Sequence, residues 1–210
     1  MTEKRPESMA AKTTPRPGAA ALVMTALLAW MWLLEAVDTA SGNRLDNYGI
    51  HAQEIDGLSG IISAPFLHGG WDHLISNSVP FFVLGFLVLL GGVARWLLSS
   101  LISIFTSGLT AWLLTPGDVV ILGASGLIFG WLTYLLARGI WSRRAGQVVI
   151  AVLVLLIYGG LIFGVLPGQP GVSWQAHLGG AVGGVLAAWL LHRRRTTRQL
   201  VGSRSSSSGW

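Results

Sequence analysis

Apolar and polar positions follow one another along the chain in long blocks, and six apolar blocks are long enough to cross a bilayer. They cover residues 19–40, 72–91, 96–114, 121–139, 146–166 and 172–191. A helix needs about 20 mostly apolar residues to cross the hydrocarbon core of a membrane. The connections between the last five blocks are short. The pattern therefore predicts an all-α membrane protein with six transmembrane helices within residues 19–192.

The polar blocks lie at both ends and after the first apolar block. Residues 1–18 are rich in Pro, Thr, Lys and Arg, and residues 193–210 are basic and Ser-rich, so we expect two disordered tails. Residues 41–71 form a long loop. Its apolar part, Leu58–Leu67, is too short to cross a membrane, and Pro65 interrupts it. We expect this part to be a broken helix that either lies in the membrane interface or dips into the membrane as a re-entrant element.

Composition agrees with a membrane protein and removes several function classes. The chain is 52% hydrophobic and 11% charged, whereas a soluble globular chain has about 25% charged residues. It contains no cysteine, which excludes disulfides and cysteine-based zinc or thiol chemistry. No P-loop or GxGxxG stretch precedes a suitable helix, so no nucleotide cofactor is expected. We attribute the net charge of +5 to basic cytoplasmic loops rather than to nucleic-acid binding.

The basic residues predict the orientation of the six helices. Thirteen of the 14 Lys and Arg residues lie in the tails or in the connections after the second and fourth apolar blocks, and only Arg44 lies on the other side. Cytoplasmic loops carry the excess of Lys and Arg, so both termini are predicted to be cytoplasmic. Five or seven spans would break this segregation. The second, fourth and sixth helices then all begin at the extracytoplasmic face of the plasma membrane.

Four polar side chains lie near the beginnings of these three helices. They are His73 and Asn77 in the second helix, Ser125 in the fourth and His177 in the sixth. Each is predicted to lie roughly two to six residues inside its helix, which is about 3–9 Å below the outer end. Polar residues within a membrane usually face the interior of the bundle. We therefore expect these four side chains to meet at one depth.

Each of the four has a structural as well as a chemical interpretation. His73 and Asn77 share one helix face at i, i+4, where they either join helices by hydrogen bonds or donate to an oxyanion. Ser125 lies between glycines and is either a packing residue or a nucleophile. His177 is either a buried histidine satisfied by a neighbour or a general base.

Two glycine faces on the sixth helix bear on this choice. They are formed by the pairs Gly179/Gly183 and Gly180/Gly184, which have the small-xxx-small spacing of close helix contacts. We expect both faces to press against the fourth helix. That contact would bring His177 to the serine.

Two other chemistries receive less support from the sequence. A metal site of His68, His73 and His177 lacks a His-x-x-x-His pair or a supporting carboxylate cluster, so no metal is expected. A channel or transporter would need internal repeats or a charged pathway through the membrane, whereas the polar set stops in the outer half.

Three stretches of the chain resemble the motifs of rhomboid intramembrane serine proteases of the bacterial, six-helix type. They are residues 66–77 (FLHGGWDHLISN), 123–126 (GASG) and 176–180 (AHLGG), and they stand in the family's order on the second, fourth and sixth helices. The resemblance covers about residues 19–192. It implies a rhomboid-like bundle of six transmembrane helices with a half-submerged first loop, and residues 167–173 match the position of the loop that caps the site.

The resemblance also implies the chemistry. Ser125 would be the nucleophile and His177 the general base of a dyad without an acidic third member. His73, Asn77 and the Ser125 backbone N–H would stabilise the oxyanion, and water would arrive through a dip ringed by His68, His73 and Asn77. The further supporting positions are Gly123, Gly126, His68 and Phe129.

The implied partners are single-span membrane proteins as substrates and the lipid bilayer, with no cofactor and no nucleic acid; the oligomeric state is left open. The alternative is an inactive rhomboid-like protein that binds transmembrane segments. Its usual signature is loss of the serine or the histidine, and both Ser125 and His177 are present.

The chain departs from the family at three supporting positions. The first loop lacks the Trp-Arg pair that many members carry, and the second helix ends in Gly91–Arg95 without the usual glutamate. Phe129 stands where a tyrosine often packs on the catalytic histidine. These differences leave the dyad intact but raise the question of what anchors the first loop.

Overall fold

Six long helices make up most of the protein. The computed structural model describes residues 14–142 and 144–204, with side chains in the last helix described as far as Leu191. The long helices are α1 (Pro17–Ser41), α3 (Trp71–Leu89), α4 (Val93–Leu114), α5 (Ser125–Ser142), α6 (Ala145–Tyr158) and α7 (Trp174–Arg204). A four-residue helix, α2 (Gly60–Ser63), lies in the first loop. The six predicted spans thus correspond to α1 and to α3 through α7.

Local sequence explains where α1 begins and ends. Pro17 occupies its first position, where the missing N–H would have had no helical partner. The helix ends at Gly42, whose φ of 79° lets its N–H bond back to the carbonyls of Asp38 and Thr39. The chain then turns into the first loop.

Helix α5 is the central element of the bundle. Its side chains Trp131, Leu132 and Tyr134 are fully buried. The Trp131 indole packs on Phe81 of α3 with ring centroids 5.1 Å apart, and its Nε1 donates to Ser100 Oγ of α4 at 2.9 Å. Buried aromatic side chains dominate core packing, and a buried indole N–H needs a partner. These contacts fix α5 against α3 and α4.

One glycine face brings α7 against α5. A Cβ on Gly180 would overlap the backbone of Gly126, and one on Gly184 would overlap the backbone of Gly130. The two helices therefore approach as closely as their backbones allow, which small residues on both sides make possible. This contact is the one that the sequence predicts between the fourth and sixth spans.

The other glycine face of α7 contacts a different helix from the one predicted. A Cβ on Gly179 would overlap Thr106 and Thr110 of α4, and one on Gly183 would overlap Thr106 and Ser103. Successive residues point about 100° apart around a helix, so the two faces meet two neighbours. The glycines thus wedge α7 between α4 and α5.

The outer helices are apolar over most of their surface. Among the described residues, four segments are long and apolar enough to cross a membrane: α1, α3, α4 and the stretch from Ala145 to Val165. In that last stretch, α6 continues as a 3-10 helix over Gly159–Val165. The more polar α5 is covered by other helices, so its surface need not match lipid. The protein is a multi-pass helical membrane protein.

The first loop is a chain of short helical turns. 3-10 turns at Leu45–Tyr48, Asp56–Ser59 and Ala64–Phe66 accompany α2. The stretch that we predicted to be a broken helix therefore consists of three short pieces. None of these pieces is long enough to cross a membrane.

Contacts with α4 and with the segment before α5 anchor this loop. Strand β1 (Ile50–His51) pairs antiparallel with β2 (Val120–Ile121). Trp112 Nε1 of α4 donates to the carbonyl of Glu54 at 2.7 Å, and the Gly123 N–H donates to the carbonyl of Ala64 at 2.8 Å. These bonds anchor the loop, although the sequence lacks the Trp-Arg pair and the glutamate.

Two differences between the observed and the predicted element boundaries concern the candidate serine and the C-terminal tail. The fourth long helix begins at Ser125 rather than at residue 121, because Val120–Ile121 is an extended strand. Helix α7 continues to Arg204, so residues 193–204 are helical where we predicted a disordered tail. Arg, Leu and Gln have high helix propensity, which explains the continuation. The rest of the predicted tails, residues 1–13 and 205–210, lies outside the described residues.

Candidate active site

A cavity of about 900 Å³ lies at the end of the bundle where α3, α5 and α7 begin. Six of the residues singled out by the sequence line it: His73, Asn77, Gly123, Ser125, Phe129 and His177. The 3-10 helix after α6 and the loop before α7 supply further walls. The fold therefore brings side chains from three separate helices to one place.

Ser125 is the first residue of α5 and is partly exposed where it lines the cavity. We predicted it to lie further inside the helix. At the first position its backbone N–H is one of the donors that have no partner within the helix, and the positive end of the helix dipole lies there too. Gly123 precedes it with a φ of 120°, which residues with side chains rarely adopt. The turn at Gly123 therefore places the serine at the helix start.

His177 lies in the first turn of α7 and is 7% exposed. Its Nδ1 is 2.9 Å from the carbonyl oxygen of Gly164. A carbonyl oxygen can only accept, so Nδ1 carries the proton and Nε2 is the basic nitrogen of the neutral ring. Phe129 stacks on the imidazole, with centroids 4.1 Å apart and 12° between the planes. Phe129 therefore orients the histidine without the tyrosine hydroxyl that the family often carries here.

His73 and Asn77 lie one turn apart on α3. Asn77 Nδ2 donates to the carbonyl of His73 at 2.9 Å, which leaves its second amide hydrogen available to a ligand. The His73 ring lies against Gly123, where a Cβ would come within 2.8 Å of His73 Nε2. The imidazole thus fits against the backbone two residues before Ser125 only because residue 123 has no side chain.

His68 lies behind His73 and does not line the cavity, contrary to our prediction that it forms part of the rim. It is 2% exposed and packs edge-on against His73, with centroids 5.1 Å apart. Neither of its ring nitrogens has a hydrogen-bond partner within the described part of the chain. Burial, and to a smaller extent the neighbouring His73, lowers the pKa of His68 to about 3, against an opposing influence of the Phe66 carbonyl. A neutral His68 therefore supports the His73 ring.

Gly126 contributes to packing rather than to the cavity lining. A Cβ on it would overlap the Ser107 side chain of α4. Ser107 Oγ in turn donates to the carbonyl of Ala176 in α7 at 2.8 Å. The two glycines around the serine therefore have different roles: Gly123 shapes the cavity, and Gly126 lets three helices converge beneath it.

Sequence reasoning did not select several residues that matter here. The cavity is also lined by the polar side chains of Asp46, Thr115, Gln169, Ser173 and Gln175. Most of these lie in loops, where no periodic pattern indicates which way a side chain points. Gly164 acts through its backbone carbonyl, for which no side-chain pattern exists.

The groups that can act chemically are a hydroxyl, two imidazoles and an amide around one cavity. Within the described part of the chain, no hydrogen bond joins Ser125 Oγ to His177 Nε2. Catalytic pairs of this kind often tighten only in the complex with substrate. No three His, Asp or Glu side chains of the described residues are grouped as metal ligands. The arrangement is suited to nucleophilic attack and to stabilisation of a developing oxyanion.

The sequence of the chain matches a family of known proteins. Residues 56–194 match the family model described as Rhomboid domain. An uncharacterised protein of Mycobacterium tuberculosis is 43% identical over 96% of this chain and 89% of its own length. Rhomboid-like protein 11 of Arabidopsis thaliana chloroplasts is 34% identical over 63% of this chain and 52% of its length. Rhomboid-like protease 5 of Toxoplasma gondii is 32% identical over 73% of this chain and 17% of its length. The chain belongs to the rhomboid family.

Proposed function

We propose that this protein is an intramembrane serine endopeptidase that cleaves single-span membrane proteins with a Ser125–His177 dyad. The observation that carries the proposal is that both side chains line one cavity while the Gly164 carbonyl holds His177 in the tautomer with a basic Nε2. Protease-named relatives in the family support the same reaction class.

The proposed reaction follows from the atoms around the cavity. His177 Nε2 takes the proton of Ser125 Oγ as the oxygen attacks the scissile carbonyl. The tetrahedral oxyanion is stabilised by the unpaired Ser125 N–H at the start of α5, by the free Asn77 amide hydrogen and by His73. His177 then gives its proton to the leaving amine, and water, deprotonated by the same nitrogen, hydrolyses the acyl-enzyme.

The location of the site decides what can be cleaved. In our proposal all six long helices cross the plasma membrane, both termini are cytoplasmic and the cavity opens on the extracytoplasmic side. The first loop lies half-submerged beside it. A transmembrane substrate must unwind locally, because the amides of an intact helix are already paired.

The test is cleavage of a panel of single-span substrates by purified protein in vesicles. We expect Ser125→Ala and His177→Ala each to lower the rate by at least about 10³-fold, since removing a nucleophile or its base removes the covalent route. Ser59→Ala is the matched control because Ser59 is an exposed loop residue outside the cavity. A serine-reactive phosphonate probe should label the wild type and Ser59→Ala but not Ser125→Ala.

Two results would contradict the proposal. Undiminished cleavage by Ser125→Ala would exclude the dyad. A folded wild-type protein that binds the transmembrane substrates but neither cleaves them nor reacts with the probe would point to the inactive, binding-only alternative.

A further inference from the structure

The end of the bundle that holds the cavity is strongly acidic. All seven Asp and Glu residues between residues 14 and 204 lie there: Glu35, Asp38, Asp46, Glu54, Asp56, Asp72 and Asp118. Arg44 is the one Lys or Arg residue of the described chain at this end. Among the described residues, the ion pair found here joins His51 and Glu54 at 3.9 Å. With seven acidic residues and one Arg, this end therefore carries a net negative charge.

Asp46 brings this charge into the cavity wall. It lies in the 3-10 turn after α1 and lines the cavity together with His73. Burial, the charge of Asp38 and hydrogen bonding to Asp38 raise the pKa of Asp46. Its Oδ1 is buried and has no hydrogen-bond partner in the described part of the chain. A positive group would relieve the repulsion between the two carboxylates.

Thr115 gives a second, independent sign of an unfilled site. It lines the same cavity and is 5% exposed, yet its buried Oγ1 has no hydrogen-bond partner among the described residues. Buried polar atoms in native proteins are nearly always paired. Gln175, also in the wall, has long bonds at 3.4 Å to the Leu114 carbonyl and 3.5 Å from Ser173 Oγ. In this part of the wall the Thr115 hydroxyl is therefore the oxygen that can still accept a hydrogen bond from a ligand.

We propose that Asp46 and Thr115 form a substrate subsite for a Lys or Arg side chain at the extracytoplasmic end of the substrate's transmembrane segment. The inference rests on the proposed proteolytic function but concerns binding, not bond cleavage. Lys and Arg are scarce on the outer side of membrane proteins, because the excess of basic residues lies in cytoplasmic loops. A subsite for them would therefore select a small class of substrates.

The test measures binding to the inactive Ser125→Ala protein, so that it does not depend on catalysis. The probes are fluorescent single-span peptides in lipid nanodiscs, identical except for Lys, Gln or Glu at the outer end of the segment. We expect the Lys peptide to bind about fivefold more tightly than the Gln peptide, the effect of a partly exposed ion pair, and the Glu peptide to bind more weakly than both. High salt should reduce the difference.

Two further variants connect the preference to the subsite. Asp46→Asn keeps the size and hydrogen bonding of the side chain, and should bring the Lys and Gln peptides to equal affinity. Asp56→Asn removes an exposed acid from the same loop that does not line the cavity, and should leave the preference unchanged.

The outcomes separate this inference from the proposed function. Equal binding of the Lys, Gln and Glu peptides to Ser125→Ala would overturn the subsite, whether or not the wild type cleaves them. The subsite would also be overturned if Asp56→Asn abolished the preference for the Lys peptide as fully as Asp46→Asn does. The preference would then come from the overall acidic charge acting at a distance. If Asp46→Asn does not fold, the peptide comparison on Ser125→Ala alone decides the matter.

Discussion

Gly123 shows how one residue couples the backbone to the candidate chemistry. Its φ of 120° sets the turn before Ser125, its N–H bonds to the first loop, and its missing side chain makes room for the His73 ring. A methyl group at this position would strain the backbone and also displace His73, the proposed oxyanion donor. Position 123 therefore controls both sides of the proposed reaction.

We predict that Gly123→Ala lowers cleavage by about 10²–10³-fold, the cost of losing one oxyanion donor. The matched control is Gly70→Ala. Gly70 has a similar φ of 112° before α3, but nothing lies within 4 Å of an added Cβ. The measurement is the cleavage rate of each variant together with its thermal unfolding temperature. Equal loss of activity in both variants would mean that backbone strain, and not the collision with His73, is responsible.

Some residues of the site can be recognised from the sequence, and others cannot. Ser125, His177 and His73 were selected because polar side chains at matched depths on three apolar helices are unusual. The Gly164 carbonyl and Thr115 were not, since a backbone acceptor and a loop hydroxyl leave no pattern. We expected His68 in the rim of the cavity, but it lies behind His73. Spacing along the chain does not say whether a side chain faces a cavity or lies behind one.

At the level of elements, the first loop is held by bonds that differ from those the family motifs suggest. Trp112 on α4 reaches the loop backbone at Glu54, and Gln53 Nε2 donates to the carbonyl of Thr115 at 3.1 Å. Both bonds join the loop to the C-terminal end of α4. The same region carries β2 and the turn at Gly123, so the loop and the serine share one support.

We predict that Trp112→Phe destabilises the protein by about 1 kcal/mol, the net contribution of one hydrogen bond, while an aromatic ring remains at this half-buried position. The first loop should become more sensitive to added protease around Glu54. Trp141→Phe is the control, because Trp141 is an exposed residue at the other end of α5. Thermal unfolding and limited proteolysis measure the two effects. Unfolding temperatures and digestion rates equal to those of Trp141→Phe would show that the indole N–H does not anchor the loop.

The helix positions followed from apolar periodicity, but the boundaries and contacts depended on the fold. A short apolar run such as Val119–Leu122 fits a strand as well as a helix start, and only its pairing with β1 decides between them. The spacing of the α7 glycines predicted two close faces, but we assigned both to the fourth span, whereas the Gly179/Gly183 face contacts α4. The pattern of apolar and small residues therefore predicts that an element exists and which faces it packs with. The tertiary contacts determine which elements lie next to it.

For the whole molecule, two of the three helices that build the site, α5 and α7, are not among the segments that look most like membrane spans. The stretch from Ala145 to Val165 is the most apolar of the candidate spans, yet it is almost entirely exposed. The start of α5, by contrast, is surrounded by α4 and α7. The helix that faces protein on most sides can carry polar and small residues. Hydropathy alone therefore undercounts the central spans that our six-span proposal requires.

The six-span topology can be tested because the chain has no cysteine, so each introduced thiol is unique. Gly18, Gly117 and Gly146 are suitable positions, since a Cβ at any of them has no heavy atom closer than 3.9 Å. If all six long helices span, Gly117 lies outside and the other two inside. We predict that a membrane-impermeant maleimide labels Gly117→Cys in intact cells, and labels Gly18→Cys and Gly146→Cys only after permeabilisation.

Gly146 is the position that distinguishes the possible topologies. It follows α5, and Gly117 precedes α5. If only the four most apolar segments crossed the membrane, α5 would not separate these two positions and both thiols would be labelled in intact cells. Labelling of Gly18→Cys and Gly146→Cys, but not of Gly117→Cys, in intact cells would reverse the orientation and place the cavity at the cytoplasmic face. Because the acidic end and the cavity are the same end of the bundle, that result would also move the proposed Lys or Arg subsite to the side where basic substrate residues are common.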